Sequence, residues 1–134
     1  MSEQTPAAAF YGSVPVFRVE DIVATAMYYR DVLGFEIDFI YGEPPSYASV
    51  SRDDAVLNFT HARAPDWRDG GLGVDAMIVV ADAHAVLHDW ADRGANIVRP
   101  LLDHPTGMSD FIIEDCNRYR IAIAEETDKG DVEP

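Results

Sequence analysis

The sequence predicts an α+β domain made of two β-α-β-β-β modules, paired so that a concave mixed sheet forms with helices outside. Three observations carry this expectation. Val19-Glu20-Asp21 precedes one helix-periodic stretch, and Val80-Ala81-Asp82 precedes another. Each stretch stops at a glycine, Gly34 and then Gly94. Each half then closes on an acidic turn followed by an apolar strand. One four-stranded unit cannot cover its sheet with a single short helix, so two must pair around a common core.

The elements follow in order. Residues 13–19 read as a strand, with Val14, Val16, Phe17 and Val19 as its apolar set. Pro15 places that strand at a start or an edge, because proline cannot donate to a ladder. Asp21 is the predicted helix cap. Ile22, Ala26, Tyr29 and Leu33 then step by four, three and four, which makes one helix face. Gly34 takes the left-handed position that ends the helix. Residues 35–41 alternate Phe35, Ile37, Phe39 and Tyr41 against Glu36, Asp38 and Ile40, a strand with one strongly apolar face. GEPPS, residues 42–46, is a turn. Short strands over 47–51 and 55–60 complete the first module.

The second half repeats the order. Residues 74–80 form a strand, Asp82 caps a helix carrying Val86, Leu87, Trp90 and Ala91, and Gly94 ends it. An extended segment begins over 95–99, and 100–107 is irregular. Strands over 108–113 and 118–125 flank an acidic turn. The predicted organisation is a single domain, 1–134, with module one at about 12–61 and a connector at 62–73. Module two spans about 74–125, and 126–134 is an acidic tail. Prolines and glycines in the connector reject a continuous helix. Its Trp67 either anchors the connector or borders a cleft or subunit interface.

Composition narrows the partners. The formal net charge of -14 repels a phosphate backbone, and no basic patch with interleaved aromatics offsets it. Nucleic acid is therefore excluded as a partner. No apolar run is long enough to span a bilayer, and no secretory leader opens the chain, so no membrane partner is expected and cytoplasm is the default location. The one cysteine, Cys116, cannot form an internal disulfide and has no evident activating base.

Two segments carry a resemblance. VPVFRVEDIVATAMYYRDVLGF (residues 14–35) resembles the opening strand, short helix and "LGF" of the vicinal oxygen chelate superfamily. That superfamily includes glyoxalase I, extradiol dioxygenases and bleomycin-resistance proteins. FIIEDCNRYRIAIAE (residues 111–125) is similar to its closing turn and last strand. The resemblance covers about residues 14–125 and implies the paired-module fold. In the metal-dependent members, four inward positions supply histidines and glutamates. By motif these fall here on Val14, Asn58, Asp75 and Arg120. Only Asp75 has ordinary ligand character, and Arg120 would set a positive charge where a metal sits. The expectation is no metal and no cofactor, closest in character to the bleomycin-resistance-like branch.

The four histidines do not supply a replacement. His84 and His88 share a helix face, His61 follows a strand at a cleft rim, and His104 lies in a loop. Alternation places Val56, Asn58 and Thr60, then Asp75, Met77 and Val79, then Arg118, Arg120 and Ala122 on the concave side. With Tyr41, Tyr47, Trp67 and Phe111 they define a mixed cleft suited to an organic ligand.

Three functions fit this cleft. One is metal-independent binding or sequestration of a small organic molecule, including antibiotic resistance of the bleomycin-binding type. A second is a metal-free glyoxalase- or dioxygenase-like lyase or isomerase, with Asp75 or His61 as base and Arg120 as electrostatic clamp. A third is an accessory dimer with no small-molecule role. Apolar residues left on the inward faces predict a homodimer, with swapped or unswapped pairing left open.

Overall fold

The computed structural model describes residues 7–63 and 73–127. The first module runs β1 (Val16–Val19), α1 (Ile22–Asp31), β2 (Glu36–Tyr41), β3 (Tyr47–Arg52) and β4 (Ala55–His61). The second runs β5 (Ala76–Val79), α2 (Ala83–Asp92), β6 (Asn96–Asp103), β7 (Met108–Glu114) and β8 (Arg120–Glu126). The strand orders are β1-β4-β3-β2 and β5-β8-β7-β6, so each module is one four-stranded mixed sheet. In both, the first strand pairs in parallel with the last, and the remaining pairs are antiparallel. The two β-α-β-β-β modules with flanking helices are those expected from the sequence.

The helix boundaries rest on the expected residues. Asp21 accepts the Ala24 N–H at 2.9 Å, and Asp82 accepts the Ala85 N–H at 3.0 Å. Each satisfies a donor left open in its helix's first turn. Gly34 has φ +76, the left-handed value a chain stop requires.

The modules share one core. Phe17, Val19, Tyr29, Leu33, Leu57 and Phe59 of the first are continuous with Trp90, Phe111, Ile113, Ile121 and Ile123 of the second. Phe17 stacks on Tyr119 at 4.2 Å between ring centroids. The Tyr119 hydroxyl donates to the Arg18 carbonyl at 2.8 Å and accepts the Arg18 N–H at 3.0 Å. The Trp90 indole N–H donates to the Leu33 carbonyl at 3.1 Å. Thus the modules join through residues on their helix-bearing sides.

Two elements differ from expectation. Residues 100–103 are not irregular, because β6 continues through Pro100 to Asp103. β6 is an edge strand with register shifts near Arg99, so a proline that cannot donate costs it no ladder bond. The alternation of β2 also breaks. Ile37 pairs with Val50 and Phe39 with Ser49, which leaves Asp38 as an extra residue in a β-bulge.

Candidate functional site

The bulge at Asp38 decides what the first sheet presents. Before it, Ile37 sits opposite Val50, a fully buried core residue. After it, Ile40 sits opposite Ala48, also core, so the parity has inverted. Phe39 and Tyr41, expected on one face with Phe35 and Ile37, are instead 49% and 70% exposed. Phe39 stacks on Tyr47 at 6.4 Å and 15°. The Asp38 carboxylate lies on the same side, accepting from Ser51 Oγ at 2.9 Å and Ser49 Oγ at 3.4 Å. Ser49 is also paired with Asn58, whose Nδ2 donates to the Tyr47 hydroxyl at 3.1 Å. One wall therefore holds three aromatic rings, a carboxylate fixed by two hydroxyls, and an amide. Arg18 belongs to β1 and Asp38 to β2, the two edges of this sheet. Three strand spacings separate those edges, roughly 14 Å.

The second wall is the face of β5, β8 and β7 opposite the core. Ala122 and Ala124 form its floor, with Met77 and Val79 beside them at 56% and 65% exposure. Arg120 Nε lies 3.9 Å from Glu114 Oε2. The Arg120 backbone N–H donates to Asp75 Oδ2 at 2.8 Å, and the Asp75 N–H donates to the Arg120 carbonyl at 2.7 Å. Asp75 and Arg120 are thus neighbours on this wall, joined through the Arg120 backbone. A cleft of about 820 Å³ lies between β5 with α2 and the β3–β4 turn of the first module, lined by Asp54 and Val56 on one side and by Met77, Val79, Val86 and Trp90 on the other. It reaches the second wall but not the aromatic wall of the first module.

The remaining expected residues are placed differently. Phe111, predicted to line the cleft, is fully buried, edge-on to Trp90 at 6.0 Å. It shares the parity of Ile113 and pairs with Ile123, so it belongs to the core. Arg118 sits in the turn before β8 with φ +72, off the strand wall on which alternation placed it. His61 shares the parity of the core residues Leu57 and Phe59 and ends β4 exposed, on the side away from Asn58. Trp67 lies outside the described residues.

The four positions that would hold a metal do not fit one. Val14 has no donor atom. Asn58 has engaged its amide nitrogen with Tyr47, and its buried Oδ1 has no partner among the described residues. Asp75 accepts a backbone N–H, and Arg120 is a cation. A single carboxylate beside a guanidinium is a poor donor set for a divalent ion. Among the described residues no group of three or more His, Cys, Asp or Glu side chains is arranged to hold one. No helix among them is long and apolar enough to cross a membrane.

Residues 13–123 match the profile of the Glyoxalase/Bleomycin resistance protein/Dioxygenase superfamily. The chain is similar to the bleomycin-binding protein of bleomycin-producing Streptomyces verticillus, solved with copper(II)-bleomycin. Identity is 25% and the TM-score 0.70, over 90% of this chain and 98% of that one. It is also similar to TioX from Micromonospora sp. ML1, at 18% identity and TM-score 0.68, over 86% and 95% of the two chains. A glyoxalase-related enzyme from Clostridium phytofermentans gives 13% identity and TM-score 0.75, over 91% and 99%. These last two likenesses are of fold. No curated protein sequence matches the chain.

Proposed function

The chain belongs to the Glyoxalase/Bleomycin resistance protein/Dioxygenase superfamily, with the small-molecule binding or catalysis typical of it, and from that premise we propose that it binds and sequesters a small organic cation with a flat apolar body, without a metal. The observation that carries the reading is the bulge at Asp38. It turns Phe39 and Tyr41 out of the core and sets a carboxylate beside them. Aromatic faces next to a fixed carboxylate suit a cation attached to a planar group. Arg18 stands at the opposite edge, so a ligand lying across the sheet keeps its charge at the β2 end. On the second wall, Glu114 offsets the charge of Arg120. Sequestration of a bleomycin-type drug is the form of this activity to which the Streptomyces verticillus protein points.

The cleft in this reading is shared by a homodimer. Each chain joins its own modules by their helix-bearing sides, which leaves both sheet walls facing away from the shared core. A second copy would set the first wall of one chain against the second wall of the other, the swapped form of pairing. A metal-free enzyme using Asp75 as base and Arg120 as clamp is the second reading, favoured by the adjacency of those two residues.

Titration calorimetry with metal-free bleomycin, and with a panel of aromatic ammonium compounds, tests the proposal. Binding is expected, weakened about tenfold or more by Asp38→Asn or Tyr47→Ala, a loss of roughly 1.4 kcal/mol each. Equal affinity in these variants, or no binding by any aromatic cation, would overturn it.

A further inference from the structure

On the second wall, away from Asp75 and Arg120, lies a cluster that the binding reading does not use. Asp110 is on β7 with the parity opposite to the core residues Phe111 and Ile113, and its side chain is 13% exposed. Its Oδ1 accepts from Arg99 Nη2 at 2.5 Å and lies 2.8 Å from His104 Nε2. Arg99 is further fixed by Nη1, which donates to the Asp110 carbonyl at 3.2 Å and the Pro100 carbonyl at 3.0 Å. The loop is fixed too, since the His104 N–H donates to the Met108 carbonyl and the His104 carbonyl accepts the Gly107 N–H.

These bonds determine how the ring is held. Burial pushes the Asp110 carboxyl up, but hydrogen bonds from Arg99 and His104 outweigh it and hold the group below its usual range. Asp110 is therefore a carboxylate and accepts only. The proton in its contact with His104 must sit on Nε2. A neutral ring with Nε2–H carries its lone pair on Nδ1. Nδ1 has no hydrogen bond among the described residues, and the side chain is 35% exposed.

We propose that His104 is a proton-accepting group at the second wall of the cleft, with Asp110 as its positioning residue. The proposal rests on the reading of that wall as part of a ligand cleft. It assigns to the ligand an O–H or acidic C–H group in addition to the cation. If a proton is transferred, it leaves that group for Nδ1, and the resulting imidazolium remains hydrogen-bonded to the Asp110 carboxylate. If it is not, Nδ1 accepts a hydrogen bond and His104 contributes specificity. In the enzymatic reading, His104 replaces His61, which lies on the other face of its sheet.

The test needs no ligand, so its failure is separable from failure of the binding proposal. Long-range ¹H–¹⁵N spectra of the full-length protein at about pH 8 report which ring nitrogen is protonated. Diethyl pyrocarbonate labelling, read by peptide mass, then reports whether the bare nitrogen is reachable. His61, His84 and His88 are exposed internal references. The expected result is a fixed Nε2–H tautomer at His104, with labelling at least as fast as at His84. Asp110→Asn should mix the tautomers and slow labelling at least threefold, leaving the references unchanged. Arg99→Gln should keep the tautomer, because Asp110 still accepts. An Nδ1–H tautomer, protection of His104 from the reagent, or indifference to Asp110→Asn would overturn the proposal.

Discussion

The Tyr29 hydroxyl donates a 2.5 Å hydrogen bond to Asp115 Oδ2, tying α1 of the first module to the β7–β8 turn of the second. The other carboxylate oxygen accepts the backbone N–H groups of Asn117 and Tyr119, at 2.8 and 2.9 Å. Beside it, Asn117 Nδ2 donates to Thr25 Oγ1 on the same helix. Tyr29 is fully buried, so losing its hydroxyl leaves a buried carboxylate oxygen without its partner. Tyr29→Phe should therefore cost about 2 kcal/mol, the usual worth of a buried hydrogen bond to a charged group. Urea unfolding checks this. A loss under half that size would show the bond to be incidental.

Asp115 and Asp110 should give opposite pH signatures. Burial raises the Asp115 carboxyl, and its hydrogen bonds from Tyr29, Tyr119 and Asn117 offset only part of that. A folded-state pKa above the unfolded one means stability that is present at low pH and lost as pH rises through the folded value. The stability of the wild type relative to Asp115→Asn should thus increase from about pH 7 down to about pH 4. Asp110 is lowered, so its contribution is present above the unfolded pKa and lost as pH falls. The wild type's advantage over Asp110→Asn should hold down to about pH 4 and shrink only below it. Parallel slopes for the two variants would contradict both assignments.

Cys116 should be a slow thiol despite the exposure of its residue. Burial of the sulfur, then the negative charge of Asp115, push its pKa up to about 11. At about pH 8 this leaves little thiolate, and the higher intrinsic nucleophilicity recovers only part of the loss. Alkylation by iodoacetamide should be roughly 20-fold slower than for free cysteine. Asp115→Asn should speed it. A rate equal to free cysteine would remove Cys116 from the inert class in which the sequence placed it.

The two helix-ending glycines separate backbone strain from packing. Gly34 and Gly94 have φ +76 and +91, where any side chain is strained. A Cβ at Gly94 meets nothing within 4 Å, whereas one at Gly34 would lie 3.0 Å from Arg52 Nη1. That nitrogen donates to the Leu33 carbonyl at 2.8 Å, the acceptor also used by Trp90. Gly94→Ala should cost about 1 kcal/mol from conformation alone. Gly34→Ala should cost measurably more in the same thermal melts, because Arg52 must move. Equal costs would mean that Arg52 yields freely.

Much of this was legible in the residues. The caps at Asp21 and Asp82 and the stops at Gly34 and Gly94 depend on local chemistry, which a sequence displays. The bulge at Asp38 does not, because Phe39 and Tyr41 are apolar enough for either face. Strict alternation put them on one face with Phe35 and Ile37, and one inserted residue moved them to the other. Phe111 failed in the other direction: its aromatic character suggested a cleft, while its parity with Ile113 and Ile123 marked it as core. The Arg99–Asp110–His104 cluster needed the β6–β7 register, which Pro100 concealed by suggesting that the strand had ended.

The assembly prediction follows from strand edges. Among the described residues β1 pairs only with β4, and β5 only with β8, so each has an outer edge without a strand neighbour. Both carry exposed apolar residues, Val16 at 49%, Met77 at 56% and Val79 at 65%. An unpaired apolar edge is a template for another strand, and proteins seldom leave one open. A two-fold axis can join β1 of each copy to β5 of the other, which closes these four edges in a dimer and leaves β2 and β6 as its outer edges. Net charge opposes association, but salt screens exposed charges more than about 10 Å apart. Light scattering at low micromolar protein and moderate salt should give twice 14.8 kDa. Val79→Lys, which puts a charge on the edge at a side chain that is already 65% exposed, should shift that mass towards 14.8 kDa and weaken ligand binding with it. A wild-type mass of 14.8 kDa at every concentration would reject the dimer. A Val79→Lys protein that remained dimeric would move the interface away from β5.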